Sequence, residues 1–267
     1  MPFVKVREID VYYEYEGQGP DVLLISGTGS DLRNPRFPSP AMKKYRVLRY
    51  DQRGLGQTSK PEGPYSMEGY ADDAAALLDA LNLGRVPVIG VSFGGMVAQN
   101  LAIRHPGCVD SLVLACTSAG GHSASTDLLA LMALPSTERI QKWLTILDKR
   151  YVPGVSASRM PIMALLARAL NSGSAIFPNL TSAGLMNQLE ARSRHDVCDR
   201  LSQIQQRTLI VGGTYDGVSP PANLQLISDR IPRSELQFFE GGHAFLLQDS
   251  KAWGAIDDFL RAQDEGC

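Results

Sequence analysis

Val86-Pro-Val-Ile-Gly-Val-Ser-Phe-Gly-Gly-Met-Val97 decides the fold. An apolar, β-branched run leads into Ser92, which Gly90 and Gly94 fence at two residues on either side. From Gly94 to Arg104 apolar residues recur at helical spacing, and Pro106 ends the pattern. A strand that turns straight into a helix through Gly-x-Ser-x-Gly places the serine on a sharp elbow. The glycines leave room for strand and helix to approach closely. The helix N-terminus offers unpaired N–H groups and a partial positive charge beside the serine oxygen. A nucleophilic hydroxyl needs such exposure, a base, and donors for the oxyanion it generates. Ser92 is therefore the candidate nucleophile, and the Phe93 N–H a candidate oxyanion donor.

The surrounding chain alternates strand and helix patterns. Residues 4–16 alternate in polarity up to Gly17 and read as an antiparallel hairpin or edge pair. Asp21–Ser26, Tyr45–Tyr50, Val86–Val91 and Ser111–Cys116 read as buried strands, with helices over Met67–Leu81 and Gly94–Arg104. From 120 to 200 the strands lapse. Helical patterns at 128–134, 138–150, 160–171 and 183–194 are punctuated by Pro135, Pro153, Pro161 and Pro178. Strand and helix then return at Thr208–Val211, Pro221–Ile231, Glu235–Phe239 and Ser250–Ala262. This predicts an α/β fold: a mostly parallel central sheet flanked by helices, formed by residues 1–119 and 201–267. Residues 120–200 are expected to form a helical cap inserted after the sixth strand.

The base should be one of four histidines. His105, before Pro106 at a helix end, suits a structural role. His122, in Ala119-Gly-Gly-His, reads as a surface loop residue that could touch a substrate. His195, in Arg192-Ser-Arg-His-Asp, is expected in solvent. His243 follows the strand 235–239 in Glu240-Gly-Gly-His, where glycines let a loop carry the imidazole over the sheet end. It is the candidate base. The orienting acid should also follow a strand. Asp216 does so after Thr208–Val211, whereas the strand ending at Cys116 offers only Thr117. A carboxylate that accepts from the imidazole fixes its tautomer and steadies the imidazolium. Asp51, before the serine in the chain, reads as a turn brace. The second oxyanion donor should come from Ser26-Gly-Thr-Gly-Ser30, with the Thr28 N–H as the candidate and Gly27 and Gly29 as pliable neighbours lining the substrate site.

Composition narrows the function classes. The 267 residues carry a net charge of −2, which gives no electrostatic case for nucleic acid or an acidic membrane surface. No run approaches the roughly 18 apolar residues of a membrane span. The N-terminus has no secretory apolar core, and the four cysteines are scattered, so a reducing cytoplasm is expected. No metal, nucleotide or flavin motif stands out, and no cofactor is expected. The expected partner is a small-molecule substrate; a homo-oligomer is left open. Residues 120–200 are rich in Leu, Met and Ala, with Trp143, Tyr151 and Phe177, which favours a small, partly apolar substrate with Trp143 against it. Arg159, Arg168 and Arg192 could meet a substrate carboxylate, with solvated surface as the default for each.

The order Ser92, Asp216, His243, the elbow and the helical insert resemble the α/β-hydrolase superfamily over nearly the whole chain. Asp51-Gln-Arg-Gly54 and Ser92-Phe-Gly-Gly-Met-Val-Ala-Gln99 are similar in particular to the branch of 3-oxoadipate enol-lactonases, small esterases and carbon–carbon bond hydrolases. The resemblance implies a serine hydrolase acting on an ester, lactone or similar carbonyl bond through an acyl-enzyme. It also admits a carbon–carbon hydrolase of a vinylogous diketone, a cofactor-free oxygenase or haloperoxidase-like enzyme, and a ligand-binding receptor. Two departures stand out. Ser26-Gly27 replaces the His-Gly of many relatives. Pro35, Pro38 and Pro40 disfavour the helix that lactonase relatives carry there.

Overall fold

The computed structural model describes residues 2–33, 40–152, 160–171 and 182–262. The proline-rich stretch 34–39, and with it most of the expected break in helix, lies outside the described residues, as do Arg159 and Phe177.

Eight strands form one sheet in the order β1-β2-β4-β3-β5-β6-β7-β8. They are β1 (Phe3–Val6), β2 (Ile9–Glu16), β3 (Asp21–Ile25), β4 (Arg46–Tyr50), β5 (Val86–Val91), β6 (Val109–Ala115), β7 (Arg207–Gly213) and β8 (Ser234–Phe239). The hairpin β1–β2 and the pair β2–β4 are antiparallel; from β4 to β8 every pairing is parallel. The inner parallel strands are covered on both faces, so Val22–Ile25, Val47–Tyr50 and Thr208–Gly213 are unbroken buried runs. The hairpin instead alternates, as its sequence predicts.

Helices α1 (Met67–Ala80) and α2 (Phe93–Arg104) pack one face of the sheet with α7 (Pro221–Arg230). The short α8 (Phe245–Gln248) and the amphipathic α9 (Lys251–Arg261) pack the other through Phe245, Trp253, Ile256 and Phe259. Ser66 starts α1 by accepting the Gly69 N–H on its hydroxyl at 3.0 Å, and Asn82 ends it in the left-handed region at φ 53°. Between β6 and β7 lie α3 (Leu128–Met132), α4 (Ser136–Leu147), α5 (Pro161–Asn171) and α6 (Ala183–Ser193). Their apolar faces form two clusters of their own. Leu128, Leu131, Leu185 and Leu189 join Leu55, while Leu144, Leu147 and Met163 join Val218.

The charged stretch 192–196 corrects the sequence reading. His195 is buried at 4% exposure, and its Nδ1 lies 3.4 Å from Asn100 Nδ2 on α2. Arg192 is buried too. It donates to Thr126 O at 2.9 Å and Ser125 Oγ at 2.5 Å, and burial lowers its pKa to about 10. The reason is topological: His195 O accepts the Gly121 N–H and Ala119 O accepts the Val197 N–H, so this segment closes the helical insert back onto its own start.

Burial also lowers the His195 pKa to about 4. The unfolded chain takes up this proton near its ordinary value of about 6.5, and the folded protein only near 4. Stability from neutral His195 is therefore complete above that ordinary value and is lost as pH falls toward about 4, by as much as about 3 kcal/mol. His195→Gln should flatten the fall in urea-unfolding free energy between pH 6.5 and 4. Parallel profiles for variant and wild type would refute this.

Candidate active site

The elbow is built as its glycines predict. Ser92 closes β5 and caps α2 with φ 55° and ψ −114°, a conformation that costs a non-glycine residue about 1–3 kcal/mol. It is over-determined locally: the Ser92 N–H donates to Ala115 O at 2.8 Å, and Thr117 Oγ1 donates to Ser92 O at 2.8 Å. A Cβ on Gly94 would stand 2.0 Å from Ile25 O, and one on Gly90 2.5 Å from Gly94 O. Only glycine lets α2 sit this close to β3 and β5.

His243 and Asp216 reach the same point from the loops after β8 and β7. His243 Nε2 lies 2.9 Å from Ser92 Oγ, and its Nδ1 lies 2.7 Å from Asp216 Oδ2. Asp216 is fully buried, and its other oxygen accepts the Val218 and Ser219 N–H groups at 2.7 and 2.9 Å. A carboxylate so held can only accept from the imidazole. Nδ1 therefore carries the proton, and Nε2 is left to accept from the serine hydroxyl. The His243 backbone is fixed by its N–H on Leu147 O at 2.6 Å, at the end of α4.

The loop Ser26–Ser30 runs alongside. A Cβ on Gly27 would touch Ser92 Cβ at 3.4 Å, so this loop packs directly on the nucleophile candidate. Asp51 braces it from below, as expected: its two oxygens accept the Leu32 and Gln57 N–H groups at 2.6 and 2.7 Å. Among the described residues neither the Thr28 nor the Phe93 N–H has a hydrogen-bond partner. Phe93 follows Ser92 in the chain and Thr28 follows the glycine that packs on Ser92, so both unpaired donors belong to the segments around the serine–imidazole pair.

A cavity of about 230 Å³ opens at Ser92 and His243. Its floor includes Gly27, Thr28, Ser30 and Cys116; its roof comes from α3 to α6, with Leu131, Trp143, Leu185 and Leu189 among the lining residues. Gly29 does not line the cavity: its N–H is taken by Gln188. His122 is exposed in the turn after Gly120 and stands outside the lining, as does Arg192. Cys116 carries no motif that would have flagged it. Burial, and then the charge of Asp216, push its thiol well above the ordinary value, so it is no rival nucleophile. Among the described residues no cluster of three potential metal ligands occurs, and no helix is long and apolar enough to cross a membrane.

Residues 20–250 match the model of the alpha/beta hydrolase fold family. The chain belongs to the α/β-hydrolase fold family. It is 32% identical to a poly(3-hydroxyalkanoate) depolymerase of Ectopseudomonas oleovorans, over 88% of this chain and 82% of that one. To 3-oxoadipate enol-lactonase 2 of Acinetobacter baylyi it is 30% identical, over 79% and 76% of the two chains. Among solved structures, a hydrolase from Pseudomonas aeruginosa superimposes with a TM-score of 0.80 at 29% identity, covering 97% of both chains. The eight-stranded, mostly parallel sheet and its flanking helices are those of an α/β hydrolase.

Proposed function

We propose that this α/β hydrolase is a serine hydrolase that cleaves the ester, lactone or similar carbonyl bond of a small, partly apolar substrate. The observation that carries the proposal is the unbroken hydrogen-bonded chain Asp216–His243–Ser92 opening onto an apolar cavity. His243 takes the Ser92 proton as Oγ attacks the carbonyl carbon. The Thr28 and Phe93 N–H groups receive the oxyanion, and Asp216 stabilises the imidazolium. His243 then protonates the leaving alkoxide, giving an acyl-enzyme and a free alcohol; in a lactone the two remain one molecule. Water, deprotonated by His243, attacks the acyl-enzyme and releases the acid with Ser92 restored.

Helices α3 to α6 act as the cap of this reading. A depolymerase and an enol-lactonase among the relatives both support carbonyl–oxygen bonds as the target. At about 230 Å³ the cavity is smaller than the roughly 300–1,000 Å³ of sites for drug-sized ligands, which limits the acyl group. In a p-nitrophenyl ester series from acetate to decanoate, kcat/KM should peak at butyrate or hexanoate and fall at least tenfold by decanoate. A steady rise to decanoate would contradict the cavity-limited substrate. Absence of turnover across the series, together with cleavage of a dienone diketone, would move the assignment to carbon–carbon hydrolysis.

A further inference from the structure

The oxyanion loop is held from two sides by buried amide side chains. On the core side, Gln52 follows Asp51 at the end of β4 and donates from Nε2 to Ser26 O at 2.9 Å. From above, Gln188 reaches down from α6 and accepts the Gly29 N–H on Oε1 at 2.7 Å. Both glutamines are fully buried. The Ser30 N–H closes the turn on Gly27 O at 3.2 Å.

These contacts act on three consecutive peptide planes. Ser26 O belongs to the first, and the Gly29 N–H to the third. The plane between them joins Gly27 to Thr28 and carries the Thr28 N–H, which has no partner of its own among the described residues. That plane's own carbonyl, Gly27 O, takes only the 3.2 Å bond from Ser30 inside the same turn, and glycines on both sides of Thr28, with Gly29 at φ 69°, let the turn swing as a unit unless its neighbours are fixed. Gln52 fixes one neighbour and Gln188 the other. Gln188 differs in belonging to the helical segment over the cavity, where Leu185 and Leu189 on the same helix line the pocket wall. Among the described residues its Nε2 is buried without a partner, so the side chain is not there to satisfy a second group of its own.

We infer that Gln188 is a positioning residue: it couples the seating of α6 on the core to the aim of the Thr28 N–H at the oxyanion. This rests on the serine hydrolase reading above. A preorganised donor works because it does not reorient as charge develops, so a loosened donor loses transition-state binding while ground-state binding stays.

Gln188→Met keeps length and volume and removes the acceptor. With p-nitrophenyl butyrate its kcat should fall about tenfold to a hundredfold, the upper end matching outright loss of one oxyanion donor, while KM stays within about twofold. Inhibition by butylboronic acid, whose tetrahedral adduct needs the same donor, should weaken by the same factor. Amide exchange in the peptide holding Gly29 should quicken. Gln188→Glu keeps a carboxyl oxygen that can accept from Gly29, and should recover most of kcat and the exchange protection. Ser92→Ala run in parallel separates the two claims. Activity surviving in Ser92→Ala overturns the hydrolase reading and this inference with it. Activity lost in Ser92→Ala but unchanged in Gln188→Met overturns the positioning role alone. So does a loss in Gln188→Met that tracks a lower Tm and is not recovered in Gln188→Glu.

Discussion

Ser92→Ala should lower turnover of p-nitrophenyl butyrate by about four to six orders of magnitude. Without Oγ no acyl-enzyme forms, and only water held near the two N–H donors remains to attack. The folded state should hardly notice. Ser92 keeps its φ of 55° through backbone bonds to Ala115 and from Thr117, neither of which uses its side chain. Alanine inherits the same strain, and only the contact to His243 is lost. Urea unfolding should therefore shift by no more than about 1 kcal/mol, the usual net worth of one hydrogen bond. Circular dichroism and active-site titration on one preparation check both halves. Retention of even a tenth of wild-type turnover would remove Ser92 from the mechanism.

Asp216→Asn should cost about 10⁴-fold in kcat with the fold retained. Asp216 Oδ1 accepts two backbone N–H groups, and Oδ2 faces His243 Nδ1. An asparagine that keeps its oxygen toward Val218 and Ser219 must turn its NH₂ toward Nδ1. Nδ1 then becomes an acceptor, the ring proton moves to Nε2, and Nε2 points a donor at Ser92 Oγ, where an acceptor is required. The flipped amide is worse, since it sets NH₂ against two N–H donors in a fully buried position. The variant should thus fold with the wrong imidazole tautomer. Its KM should stay near wild type, because Asp216 does not line the cavity. A loss below tenfold would mean that Asp216 does not set the tautomer.

Much of this site is local in sequence. A strand followed by Gly-x-Ser-x-Gly and a helix specifies its own geometry, because the clashes that Gly90 and Gly94 avoid are with residues whose places the same strand–helix unit or its neighbour dictates. Asp216 and His243 were legible for a related reason: each follows a recognisable strand and sits in a loop that glycines keep open. The fold class followed from the alternation of patterns. What could not be read depends on which surfaces meet. Arg192 to Asp196 has the composition of a solvated face, yet hydrogen bonds to Ala119 and Gly121 draw it inward and bury His195. Gln188 stands 159 residues from Gly29 in a helix with no periodic hint of a polar contact. His122 is the converse case, an exposed turn as the surface-loop reading has it. Its flanking glycines resemble those beside His243, but here they serve an exposed turn, and sequence gives no measure of the distance to Ser92.

The most direct test of the account is covalent. Treating the protein with an alkyl fluorophosphonate and mapping the adduct by peptide mass spectrometry asks which side chain is the activated nucleophile. A single adduct on Ser92 is expected, forming at the rate at which esterase activity disappears, and none on Cys116. An unmodified Ser92 with activity lost, or labelling elsewhere that tracks inactivation, would contradict it.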